Sequence, residues 1–214
     1  MEQGTLDLIV RFFVLTVSLT IHEFSHAWAA YRLGDDTAAR AGRMSLNPLV
    51  HLDPIGSLLI LTGMPLGWAK PVPVDVFRLR DPRRGGALVA LAGPASNFIL
   101  GIVFCAVFLI LSFQDVSAGS FRLLSFFIQI NFALAIFNLL PLYPLDGSKV
   151  LPLFLSRDMG DRYEAFMGRL GFWPLLILFL PAVLGFSGPL NFWFTLWNPI
   201  LRPILHLFGV PAFW

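Results

Sequence analysis

Residues 5–30, TLDLIVRFFVLTVSLTIHEFSHAWAA, are apolar enough for a membrane helix and yet carry Asp7, Arg11, His22, Glu23 and His26. A bilayer span needs about 20 predominantly apolar residues, and ionisable groups inside one are costly enough to be functional by default. The stretch therefore sets two expectations: the chain is embedded in a membrane, and the end of its first span holds chemistry. A removable signal peptide is the competing reading, because Ala27-Trp28-Ala29 resembles a small-residue cleavage site. Glu2 and Asp7 argue against it, standing where such a peptide is basic.

Working outward, the composition points the same way. Of 214 residues, 57% are hydrophobic and 13% charged, and the mean hydropathy is +0.75, more apolar surface than a water-soluble domain of this size can bury. Residues 85–113, 123–145 and 170–201 are free of charge and long enough to span. The last is too long for one crossing. Gly185-Phe186-Ser187-Gly188-Pro189 interrupts it with turn-forming residues, which predicts a helix to about Leu184 and a further apolar segment from Leu190. The expected fold class is an all-α multi-pass membrane protein with about 4–6 transmembrane helices. Residues 43–49 and 67–77 are too polar to span and too rich in Pro, Val and Gly for good helix, so a small extended or β element is expected in this loop. The chain reads as a single integral membrane domain over residues 1–214, its core at residues 5–150 and C-terminal helical segments at residues 166–208. The single cysteine, Cys105, lies inside a span and reads as a packing residue.

A net charge of +2 does not point to nucleic acid, because the basic residues flank hydrophobic spans instead of forming one compact face. Lipid bilayer is the expected partner. Arg32, Arg40, Arg43, Lys70, Arg78, Arg80, Arg83 and Arg84 fall in the loop 31–84, and Lys149, Arg157, Arg162 and Arg169 in the loop after residue 145. Lys and Arg accumulate on the cytoplasmic side, which makes both loops cytoplasmic. The first helix then runs inward, the second outward and the third inward again. This topology brings His22, Glu23 and His26 to the same membrane depth as Pro144-Leu145-Asp146-Gly147.

His22-Glu23-Phe24-Ser25-His26 is a His-Glu-x-x-His pattern, in which two imidazoles four residues apart share one helix face and can bind one Zn2+ ion. A catalytic zinc takes three protein ligands and leaves a position for water, and a nearby carboxylate takes the water's proton; Glu23 suits that role. Asp146, His51, Asp53 and His206 are the candidates for third ligand. Asp146 is favoured, since Pro141 and Pro144 break the helix there, Gly147 permits a turn, and irregular backbone at membrane depth is tolerated where it lines a watery cavity. His51 and Asp53 lie among Asn47, Pro48 and Pro54 and read as turn residues; His206, near Arg202, reads as interfacial.

The motifs taken in order resemble the site-2 protease family of intramembrane metalloproteases, in its short prokaryotic form. Besides His22 to His26 they are Arg43 with Leu46-Asn47-Pro48, His51-Leu52-Asp53-Pro54-Ile55-Gly56, Gly67-Trp68-Ala69-Lys70-Pro71-Val72-Pro73-Val74, Ala92-Gly93-Pro94-Ala95-Ser96-Asn97, and Phe137-Asn138-Leu139-Leu140-Pro141 running into Pro144-Leu145-Asp146-Gly147. The resemblance implies that His22, His26 and Asp146 bind zinc and that Glu23 is the catalytic base. It further implies a zinc-dependent endopeptidase of the cytoplasmic (cell) membrane, its site toward the cytoplasmic side, acting on transmembrane or membrane-proximal segments of other proteins. The family's last motif often has Asn before Pro, whereas Tyr143 precedes Pro144 here, so no Asn side chain is expected at that place. Two readings stand for Asn97 and for Asn138: a donor to substrate backbone or to the oxyanion, or a helix–helix hydrogen bond. Gly93 and Ala92 read as close-packing residues. Residues 67–77 offer an open edge on which a substrate can lie as an added strand, or are simple loop. An adaptor or homo-oligomer is left open. Two other functions compete: a non-catalytic zinc scaffold, which a missing base or ligand would mark and none is missing, and a metal transporter, which calls for a ladder of acidic or His residues absent from the other spans.

Overall fold

The structure is a computed structural model and describes residues 3–62, 68–184, 186 and 188–211. Its frame is three long helices, α1 (Gln3–Leu33), α4 (Pro82–Ser112) and α5 (Ala118–Asn138). Between α1 and α4 lie the short helices α2 (Thr37–Arg40) and α3 (Pro54–Leu61). After α5 come α6 (Gly147–Val150), α7 (Arg157–Leu170), α8 (Trp173–Val183), α9 (Pro189–Leu196) and α10 (Asn198–Leu207).

α4 is the central element and packs against both α1 and α5. Its start is set by Asp81, whose side chain accepts from the Arg84 amide, and by Pro82 in the first turn, where a missing N–H leaves nothing unsatisfied. α5 starts on Ser117, which caps the Ser120 amide. Phe132 of α5 lies against Gly101 of α4, where a Cβ would come within 2.7 Å of the ring. Phe132, Ile128, Ile136 and Cys105 form one fully buried core with Leu201 and Leu205 of α10. Cys105 is thus a packing residue.

α1, α4 and α5 are long and apolar enough to cross a membrane, and α7 with α8, bent by 68° at their junction, would make a fourth crossing if the pair is one span. The described residues therefore give three spans, short of the expected 4–6, or four if the bent pair is one crossing. The reason lies at the C-terminus. α9 and α10 have 8 and 10 residues, so at 1.5 Å per residue each covers about 12–15 Å of a core about 30 Å thick. Gly185 and Ser187 of the expected break lie outside the described residues.

The third span covers Ala118–Asn138, not residues 123–145. It begins early because Arg122 pairs with Asp7 of α1 on the outer surface of the helices, so a charge that seemed to bar the helix has a partner of opposite sign. Arg11 is likewise placed over the ring of Phe126, 5.1 Å from its centroid. The span ends early because residues 139–146 turn repeatedly before Asp146.

The expected β element is reduced to one isolated antiparallel bridge, Leu52 with Ala69, and there is no strand among the described residues. Pro71 and Pro73 have no amide hydrogen, and a ladder cannot extend through them. Gly67 lies outside the described residues. The same loop contains a helix that the sequence did not announce. In α3, Ile55, Leu58 and Leu61 are all exposed, a face that suits contact with hydrocarbon better than with water.

Candidate metal centre

His22 and His26 stand one turn apart on α1, both buried. Their orientation is fixed from outside the pair. His26 Nδ1 donates to the backbone carbonyl of Val89 at 2.7 Å; a carbonyl only accepts, so His26 Nε2 carries the lone pair. His22 Nδ1 lies 2.6 Å from Asn97 Oδ1. The Asn97 amide is oriented by its other end, where Nδ2 donates to Asn131 Oδ1 at 2.8 Å and to the Ser18 carbonyl at 3.2 Å. Asn131 in turn donates to Ser18 Oγ and to the Phe127 carbonyl, both at 2.9 Å. This network makes His22 Nδ1 the donor and leaves a lone pair on Nε2.

Asp146 joins the pair from the far side, brought in by the turns that follow α5. Its Oδ2 lies 3.2 Å from His22 Nε2 and 3.3 Å from His26 Nε2, and the two Nε2 atoms are 3.0 Å apart. Three acceptor atoms thus face one another across less than 4.8 Å with no proton to share in the neutral tautomers set by the network. A cation resolves that arrangement. The approach depends on two glycines. A Cβ at Gly93 would lie 2.4 Å from His26 Nε2 and 2.6 Å from His22 Cε1, and one at Gly147 would lie 2.3 Å from the Leu139 carbonyl oxygen. Gly93 therefore makes room for the histidine pair, which goes beyond the helix packing expected of it.

Glu23, also buried, projects from the same turn of α1 and meets a different part of the chain. Its Oε2 accepts from the Val72 amide at 2.9 Å. Residues 68–75 form a strap held at both ends. At one end Lys70 N donates to the His51 carbonyl at 2.8 Å and its own carbonyl accepts from Arg43 at 2.5 Å. At the other, the Asp75 amide donates to the fully buried Asp35 at 2.8 Å. Burial alone would raise the Asp35 pKa, but the hydroxyl and amide of Thr37, the Asp75 amide and the nearby Arg78 outweigh it and hold the carboxyl below its ordinary value.

The other candidates lie elsewhere. Asn97 is fully buried, with its amide hydrogens and its oxygen engaged in helix–helix hydrogen bonds, and Asn138 donates to the Leu134 carbonyl of its own helix at 3.0 Å. His51 Nε2 donates to the Ser45 carbonyl, and Asp53 caps the amides of Ile55 and Gly56 at the start of α3; both are turn residues. His206 is exposed on α10. Ser18, Asn131, Val89 and Val72 escaped the sequence reading. Ser18 had a signal, lying four residues before His22 on the same helix face, and so did Asn131, an amide in an apolar span. The two backbone groups had none.

The sequence model of Peptidase family M50 matches residues 10–118 and 113–178. The chain belongs to peptidase family M50. Two bacterial relatives share the name "Putative zinc metalloprotease". YwhC of Bacillus subtilis (strain 168) is 44% identical over 143 residues, 64% of this chain and 65% of that protein. Rip2 of Mycobacterium tuberculosis (strain ATCC 25618 / H37Rv) is 33% identical over 184 residues, 83% of this chain and 67% of that protein. Zinc metalloprotease MJ0392 of Methanocaldococcus jannaschii is 27% identical over 151 residues, 71% of this chain but 36% of that protein. The M50 chain thus spans about two thirds of the two bacterial relatives and about a third of the archaeal one. No solved structure matches it.

Zinc is the metal these names imply, and the donor set fits it. Zinc takes imidazole nitrogen and carboxylate oxygen at about 2.0–2.1 Å, so neighbouring ligand atoms of a tetrahedral site stand about 3.3 Å apart. The separations of 3.0, 3.2 and 3.3 Å among His22, His26 and Asp146 lie at that spacing or slightly inside it.

Proposed function

We propose that this M50 protein is a zinc-dependent intramembrane endopeptidase, a single membrane protease domain that hydrolyses peptide bonds in transmembrane or membrane-proximal segments of other proteins. The observation that carries the reading is the convergence of two imidazole lone pairs and one carboxylate oxygen within 4.8 Å, beside a buried glutamate, among membrane-crossing helices. His22, His26 and Asp146 would hold the ion. When bound, zinc supplies a Lewis acid that lowers the pKa of water and polarises a carbonyl. Glu23 accepts the proton as the water oxygen bonds to the scissile carbon, and returns it to the nitrogen as the C–N bond breaks. Val72 holds one Glu23 oxygen by its amide and leaves the other for water. Asn97 acts through His22, keeping its Nε2 toward the ion. Bilayer excludes bulk water from such a site, and a peptide bond must leave its helical hydrogen bonding to be cut; the strap, with Pro71 and Pro73 keeping its backbone extended, offers a place for a substrate to lie unwound. The positive charge of the loops following α1 and α5 supports a cytoplasmic-membrane location with the site toward the cytoplasm.

The test compares cleavage of a panel of transmembrane substrates by detergent-purified wild type and Glu23→Gln, with bound zinc assayed in both and in Asp146→Ala. The expected result is zinc retained without cleavage in Glu23→Gln, and zinc lost in Asp146→Ala. Zinc bound in the wild type with no glutamate-dependent cleavage of any substrate would overturn the protease reading.

A further inference from the structure

His51 takes no part in the metal centre, yet it is 1% exposed, an unusual degree of burial for an imidazole in a loop. One of its nitrogens is accounted for. Nε2 lies 2.8 Å from the Ser45 carbonyl and must donate to it, which leaves a lone pair on Nδ1, and Nδ1 is buried with no hydrogen-bond partner. A buried acceptor without a donor costs about 1–3 kcal/mol, so it calls for an explanation.

His51 lies in the wall of a small cavity shared with Thr16, Thr20, Ser57, Trp68 and Ala69. The cavity volume is about 10 Å³, on a measure by which one water molecule needs about 10–15 Å³. Leu19, Pro48 and Leu52 make the rest of the lining mainly apolar, and the side chains of Thr20, His51 and Ser57 are the polar groups that can hold one. The Thr20 hydroxyl donates to the Thr16 carbonyl at 2.7 Å, so its oxygen is still able to accept. The Ser57 hydroxyl can donate or accept. A water here can give its hydrogens to His51 Nδ1 and Thr20 Oγ1 and take one from Ser57, about the three bonds usual for buried water.

The position of the cavity relates it to the metal centre. Thr16, Leu19, Thr20 and Glu23 follow the i, i+3, i+4, i+7 pattern and share one face of α1. Thr20 and Glu23 are three residues apart, a rise of about 4.5 Å, within the reach of two hydrogen bonds in series. The same strap covers both, with Ala69 lining the cavity and Val72 holding Glu23. We propose that this cavity is a single-water site with His51 Nδ1 as its principal acceptor, and that its water replenishes the one Glu23 uses. The site itself stands on geometry alone; its role rests on the hydrolytic reading above.

The first readout needs no activity. In the full-length protein labelled with ¹⁵N-histidine, the His51 Nδ1 resonance is expected at the position of a hydrogen-bonded acceptor, with a magnetisation-transfer peak to water that weakens in Thr20→Val. A free-acceptor shift without a water peak in the wild type overturns the site. The second readout is cleavage under single-turnover conditions with zinc content measured alongside. Thr20→Val and His51→Phe are each expected to retain zinc and to cleave about 5- to 10-fold more slowly, the loss of roughly one hydrogen bond. A water peak with unchanged cleavage overturns the role and leaves the site standing. If His51→Phe does not fold, Thr20→Val and the wild-type resonance still decide both points. Absence of Glu23-dependent cleavage in the wild type would defeat the hydrolytic reading and the role together, while the resonance separately decides the site.

Discussion

Val72 donates its amide hydrogen to Glu23 Oε2 at 2.9 Å, joining residues 49 apart in the chain. Pro71 and Pro73 on either side have no hydrogen to offer, so between Lys70 and Val74 this contact has a single source. Hydrogen bonds to a charged group contribute about 1.5–3 kcal/mol, and here the bond engages Oε2 of the carboxylate and not Oε1. Val72→Pro removes the hydrogen and Val72→Ala keeps it. The expected outcome is a kcat about 10- to 100-fold lower in Val72→Pro with zinc content unchanged, and near-wild-type kinetics in Val72→Ala. Equal losses in the two variants would mean that the side chain matters and the amide does not.

Asn97 connects the metal centre to the rest of the helix bundle. Outer partners of metal-bound histidines typically change affinity by about 10- to 100-fold. Asn97→Leu is expected to weaken zinc binding by that factor in a competition titration with a chelator. Asn97→Asp, which keeps an oxygen for His22 Nδ1, should retain most of the affinity, and a larger loss in Asp than in Leu would contradict the orienting role.

Gly93 has no space for a methyl group, because a Cβ would meet the ring of His26 at 2.4 Å and that of His22 at 2.6 Å. Alanine favours helix over glycine by about 1 kcal/mol, so Gly93→Ala is expected to leave helicity by circular dichroism unchanged or slightly higher. Its zinc content should nevertheless fall well below stoichiometric. Full zinc occupancy in the variant would show that the rings move aside freely.

The Asp35 anchor gives the strap an acid limit. Its carboxyl pKa is lower in the folded protein than in the unfolded chain, so its stabilising contribution is complete above the unfolded carboxylate value of about 3.9 and is lost as the pH falls below it. The Asp75 amide resonance, which reports the hydrogen bond to Asp35, is expected to hold steady down to about pH 4 and to shift below it. Asp35→Asn should remove that titration. A midpoint above the ordinary carboxylate range would reverse the sign assigned here.

Much of the site was legible before any fold was known. The spacing of His22 and His26 places two imidazoles on one face whatever surrounds the helix. Charge bias along the loops brought Asp146 to their depth without any contact being known. The reading of span ends failed where pairing between distant residues mattered: Arg122 looks like a barrier to a membrane helix until Asp7 is beside it. α3 was missed because its eight residues follow a Pro-rich turn and are too few for a periodic signal. The β element shrinks to one bridge because Pro71 and Pro73 deny a ladder to a Val-rich stretch that otherwise favours extension.

By itself the sequence determined that this chain enters a membrane and carries a His-Glu-x-x-His pair, because hydrophobic length and helical spacing are local properties. Only the tertiary structure decided which nitrogen of each histidine faces Asp146, why Gly93 must be glycine, and that a backbone amide at Val72 holds Glu23. Those relations join α1 to α4, to α5 and to the strap, and the hydrogen-bond partners that settle them are backbone groups or side chains 34 to 79 residues apart. A backbone amide has the same chemistry at every non-proline position, so nothing in the letters marks the one that matters until the chain has folded around it.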